Sequence, residues 1–171
     1  MLKKIYNEVT HEWDTSAEEA LKSFIRLPAL SPDFDKKWEE NGVLLKALED
    51  AQAWAEKQGI KGLRCEIIKD DGFTPCLFVE VDATSDKKFE RSVFFYGHLD
   101  KQPPNEGWDP DKSAWEPVIQ NGRLYGRGAV DDGYAFYTSL AAVKALQTLG
   151  IPHPRCVGSV SYTHLRAHET V

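Results

Sequence analysis

Two short stretches carry side chains suited to metal-assisted hydrolysis. Gly97-His98-Leu99-Asp100 sets an imidazole and a carboxylate two residues apart. In an extended backbone such residues project to the same side. His98 can then ligate a cation through one ring nitrogen while Asp100 accepts from the other ring N–H and fixes the tautomer. The same pair would also serve as a surface histidine beside a turn-capping aspartate. Further on, Gly126-Arg127-Gly128-Ala129-Val130-Asp131-Asp132 offers a second carboxylate behind glycines that let backbone approach a site closely. With two oxygens, Asp131 is able to bridge two cations. Helix capping by Asp131 or Asp132 is the alternative use.

These residues need elements to hold them. Ser92 to Tyr96 is almost continuously apolar and reads as a strand buried on both faces, with His98 just past its end. Ligand sites in α/β sheets gather at such carboxyl ends. Asn121-Gly122 marks a turn, and a helix is expected from about Asp131 to Leu149, closed by Gly150. Upstream, Asp14-Thr15-Ser16 resembles a cap, so the first helix is expected to begin there. A second is expected from about Lys36 to Lys57, on the apolar stripe Trp38, Leu44, Leu45, Leu48, Ala51, Trp54 and Ala55. Leu63–Ile68 and Cys76–Val81 read as a hairpin turning through residues 69–75. Residues 101–120 form a long loop of the kind that is usually functional, and another strand opens near Arg155. Strands alternating with helices after an early hairpin argue an α/β domain with a mixed sheet.

The order and spacing of Phe94 to Pro104, Gly107-Trp108-Asp109, Trp115-Glu116-Pro117 and Asn121 to Gly133 resemble a metallopeptidase family. It includes carnosinase-type dipeptidases, acetylornithine deacetylase, succinyl-diaminopimelate desuccinylase, aminoacylase and bacterial glutamate carboxypeptidase. The resemblance covers residues 15–158, and the dipeptidase branch is the most similar. It implies a zinc-peptidase-like α/β catalytic domain with a mixed sheet and helices on both faces. It also implies His98 as a metal ligand, Asp100 as its supporting catalytic residue, Asp131 as the bridging ligand, and a cis peptide after Asp131. The implied cofactors are two divalent ions, zinc first, with manganese or cobalt also suited. The implied substrate is a dipeptide or N-acyl amino acid, cleaved at its amide bond by metal-activated water, and a homodimeric full-length parent is among the expectations. A non-catalytic α/β binding or regulatory module derived from the same family is the alternative.

One departure from the family bears on activity. The Glu-Glu pair that supplies a general base and a further ligand is expected soon after Gly158, but residues 159–171 differ in character from what precedes them. Val160 to Thr170 matches the in-frame translation of a common transposase sequencing adapter. The domain is therefore expected to be truncated, spanning residues 1–158 with a non-native tail over 159–171. That tail holds His164 and His168 at helical metal-ligand spacing, which is accordingly set aside.

Composition narrows the partners. A net charge of −6 argues against nucleic acid and against anionic membrane surfaces. The amino terminus lacks the apolar region of a secretory signal, and no apolar run approaches the roughly 18 residues of a spanning helix. Three scattered cysteines, Cys65, Cys76 and Cys156, suit reduced thiols in the cytoplasm and not a disulfide frame.

Overall fold

A computed structural model describes residues 1–70, 73–84 and 91–161. The tail residues His164, His168 and Glu169, and Asp71 and Gly72 of the expected turn, lie outside the described residues.

The chain opens with α1 (Leu2–Glu12), passes through a wide π-helical turn (Trp13–Ala17) and continues as α2 (Glu18–Arg26). The helix thus begins well before the expected cap at Asp14. The reason lies in tertiary packing, because α1 rests on a later helix, where buried Glu12 pairs with Lys144 at 2.6 Å. Asp14 lies within the π turn and makes no cap. Leu27 adopts an extended conformation before Pro28 and ends α2, as steric conflict with a following proline requires.

The single helix expected over 36–57 is two, α3 (Trp38–Asn41) and α4 (Val43–Glu56). Gly42 breaks it with φ +67°, and the Asn41 side chain accepts from the Val43 N–H at 3.0 Å to start α4.

Strands β1 (Leu63–Ile68) and β2 (Cys76–Val81) pair antiparallel at the expected bounds. Then follow β3 (Val93–His98), the small hairpin β4 (Val118–Gln120) and β5 (Arg123–Tyr125), α5 (Tyr134–Thr148) and β6 (Cys156–Ser161). Asn121 and Gly122, both at positive φ, turn β4 into β5. The main sheet runs β1-β2-β6-β3, with β6 antiparallel to β2 and parallel to β3. β6 includes Ser159, Val160 and Ser161, the opening residues of the segment set aside in the sequence.

The sheet is mixed, but its described helices cover one face only. Trp54 of α4 meets Phe136 and Tyr137 of α5 edge-on, with ring centroids 5.9 and 4.9 Å apart. These residues belong to one core with Leu77, Val79, Val81, Cys156 and Val160. The opposite face carries Ile68, Phe94 and Tyr96, which are 50%, 63% and 40% exposed. Helices on both faces are therefore not found among the described residues. For the same reason β3, an edge strand, is not buried on both faces as its run of apolar residues suggests.

Candidate metal centre

The site forms where β3 stops. His98, the last residue of that strand, is buried at 7% exposure. Its Nδ1 approaches Asp100 Oδ1 and the Asp100 carbonyl oxygen, each at 3.2 Å. On the far side of the ring, Nε2 stands 3.3 Å from Asp131 Oδ1. The two ligand candidates therefore converge, with the imidazole held from behind and its other edge turned toward a half-exposed carboxylate.

Asp131 reaches this place through backbone that is not helical. Gly128 at φ +83° leads into a broken turn, Ala129–Gly133, in which Asp131 and Asp132 adopt φ/ψ of −116°/87° and −132°/20°. The peptide between them is cis. The regular helix α5 accordingly begins at Tyr134, three residues after the expected start at Asp131.

Asp132 has a role that sequence reasoning missed. Its carboxylate accepts a hydrogen bond from the backbone N–H of His98. It also lies against Gly97, where a Cβ would come within 3.5 Å of Asp132 Oδ2. Asp132 thus grips the strand end from the helix side while Asp100 grips the ring. In the sequence it reads as an ordinary helix cap, and its contact depends on α5 lying across β3.

Electrostatics follow from burial and neighbours. Burial acts to lower the His98 pKa, but the side-chain contact with Asp100, the charge of Asp100 and that of Asp131 outweigh it and raise it overall. Burial raises the Asp132 carboxyl, opposed by His98 and aided by Asp131. Asp100 is fully buried, and among the described residues its carboxylate oxygens have no hydrogen-bond partner beyond the approach of His98 Nδ1.

A buried carboxylate whose one companion is the back of an imidazole fits a ligand histidine held in register for a cation. The donor set, one imidazole and one carboxylate, suits a divalent ion of the zinc type. Among the described residues, no group of three or more His, Cys, Asp or Glu side chains could hold a metal ion.

Residues 94–162, which contain every residue of this site, match the model of peptidase family M20/M25/M40. Over this segment the chain resembles the M20 peptidase family. The chain is 41% identical over 70 residues to a succinyl-diaminopimelate desuccinylase of Aromatoleum aromaticum, a match covering 39% of this chain and 17% of that protein. It is 36% identical over 67 residues to a Cys-Gly metallodipeptidase of Schizosaccharomyces pombe, covering 38% of this chain and 14% of that one. The fold resembles that of human carnosine dipeptidase 1, with a TM-score of 0.73 at 20% identity, over 99% of this chain and 36% of the other. The chain matches under a fifth of the length of these two sequence relatives and about a third of the solved carnosine dipeptidase. Among the described residues no helix is long and apolar enough to cross a membrane.

Proposed function

We propose that this site belongs to a metal-dependent hydrolase that cleaves the amide bond of a dipeptide or N-acyl amino acid. His98 and Asp131 are the metal ligands, and Asp100 orients His98. The observation that carries the reading is the 3.3 Å approach of His98 Nε2 to Asp131 Oδ1, with a buried carboxylate behind the ring. The match of residues 94–162 to the M20/M25/M40 peptidase family supports hydrolysis as the reaction. A desuccinylase and a dipeptidase among the relatives support both substrate types.

Two divalent ions, zinc first, complete this reading, with Asp131 able to touch both. When bound, they would supply Lewis acidity, activating water and polarising the amide carbonyl. The chain's own residues orient and exclude. Asp100 holds Nδ1 so that Nε2 faces outward. Asp132 fixes the strand end, and the half-exposed Asp131 keeps one side of the site open to substrate. The cysteines are free, and burial pushes the Cys65 thiol up to about 11, which fits an inert thiol in a reducing compartment.

Zinc in catalytic sites takes about three protein ligands. The two gathered among the described residues are too few for turnover, so hydrolysis belongs to a site completed by further ligands. Calorimetric titration of the 171-residue chain with zinc, beside His98→Ala and Asp131→Ala, tests the metal centre. Each substitution should weaken binding by at least the roughly tenfold that loss of a supporting residue costs. Zinc binding equal in all three proteins would sink the assignment. A parallel assay against a dipeptide and an N-succinyl amino acid should record no turnover.

A further inference from the structure

We propose that Lys101 is a positioning residue that sets the spacing between His98 and Asp131 by docking both of their loops on the last turn of α2. This rests on the reading of His98 and Asp131 as ligands. Lys101 is completely buried. Its Nζ donates to the carbonyls of Phe24, Ile25 and Leu27 at 2.7, 3.1 and 2.7 Å. Those are carbonyls at the C-terminal end of α2, where a helix leaves acceptors unsatisfied and carries partial negative charge. An ammonium has three donors, and here each has an acceptor. The Phe24 ring lies 3.9 Å from Nζ and adds a cation–π contact.

The main chain of the same residue is fixed too. Lys101 N–H donates to Ala29 at 2.8 Å, and its carbonyl accepts from Ser31 at 2.9 Å. The loop that follows His98 is thereby pinned to the segment leaving α2 at both backbone and side chain.

The second loop rests on the same turn. A Cβ on Gly126 would fall 2.5 Å from Ile25 Cγ2, and one on Gly133 would collide with the Phe24 ring. A Cβ on Gly128 would fall 2.8 Å from Lys101 Cε. The lysine stem therefore occupies the space between α2 and the glycine loop three residues before Asp131. A methionine of similar size would bury there without the cost of a desolvated amine. Burial pushes the Lys101 amine down to about 7. Such a costly group is explained if its three directional bonds hold geometry that apolar packing would leave loose.

Lys101→Met tests this, read against Leu48→Ala, a core variant in α4 that destabilises without touching either loop. Both are titrated with zinc, their melting temperatures are recorded, and the crystal structure of Lys101→Met is solved. Zinc affinity should fall at least tenfold in Lys101→Met and stay within twofold of wild type in Leu48→Ala at comparable loss of melting temperature. The His98 Nε2 to Asp131 Oδ1 separation should lengthen by about 1 Å, a displacement large enough to disable a site.

Wild-type affinity and separation in Lys101→Met would overturn the proposal, as would an equal loss of affinity in Leu48→Ala. If Lys101→Met does not fold, Lys101→Gln takes its place. Failure of both to fold also overturns it, because the residue then serves the whole fold and not the spacing. If the wild-type chain binds no zinc through His98, the metal reading fails, and the crystallographic separation alone decides the role of Lys101.

Discussion

Asp100 exposes the logic of the site at the level of single residues. A fully buried carboxylate is costly unless something compensates it, and among the described residues the one partner is His98 Nδ1. Asp100→Asn keeps the shape and removes the charge. Zinc affinity of the chain should drop about 10–100-fold, the usual loss when a ligand's supporting residue changes. The melting temperature should hold or rise, because a desolvated charge has been removed. Calorimetry and thermal denaturation on the same preparation separate the two effects. His98 and Asp131 were legible in the sequence because a strand end and a glycine loop announce where they stand. Asp132 and Lys101 were not, because their partners, the His98 amide and the last turn of α2, meet them only after the helices pack on the sheet.

Elements were legible where local rules act alone. The β-prone runs Leu63–Ile68 and Cys76–Val81, flanking a turn segment, give β1 and β2 at their observed bounds. Boundaries shifted where tertiary forces decide. Packing on α5 extends the first helix back to Leu2, and the non-helical backbone of Asp131 and Asp132 delays α5. Across the sheet, Arg64 bonds Asp82 with 2.9 and 2.8 Å contacts and also reaches Glu80, which pairs with Arg155 just before β6. The Arg64 hydrogen bonds hold both carboxyls below their usual range. A carboxyl with a lowered folded pKa stabilises the fold above its unfolded value of about 4 and loses that contribution as pH falls through the folded value. Urea midpoints should therefore decline below about pH 4. Part of that decline should vanish in 1 M salt, where the screening length is about 3 Å. An Arg64→Gln chain should show a shallower decline.

The molecule as a whole is one-sided. Its core lies between the sheet and α2, α4 and α5, while Ile68, Phe94 and Tyr96 stand open on the other face. Exposed aromatic side chains on an open edge strand, as Phe94 and Tyr96 are on β3, favour self-association. Phe94→Lys should raise the concentration at which the chain stays monodisperse in light scattering, with a stability change within about 0.5 kcal/mol, as for an exposed side chain. Sequence alone could not reveal this exposure, because a continuously apolar strand reads the same whether one face is covered or both.

The order of strands also carries a consequence for biosynthesis. Among the described residues β3 is hydrogen-bonded into the main sheet only through β6, which is inserted between it and β2. A ribosome releases β3, its histidine and the glycine loop well before β6 emerges. The strand that presents His98 must therefore wait, unpaired, for the last described strand to be made. The earlier hairpin needs no such delay. Among the described strands, pairing of the one that carries His98 is thus the final step of sheet formation, timed by the arrival of residues 156–161.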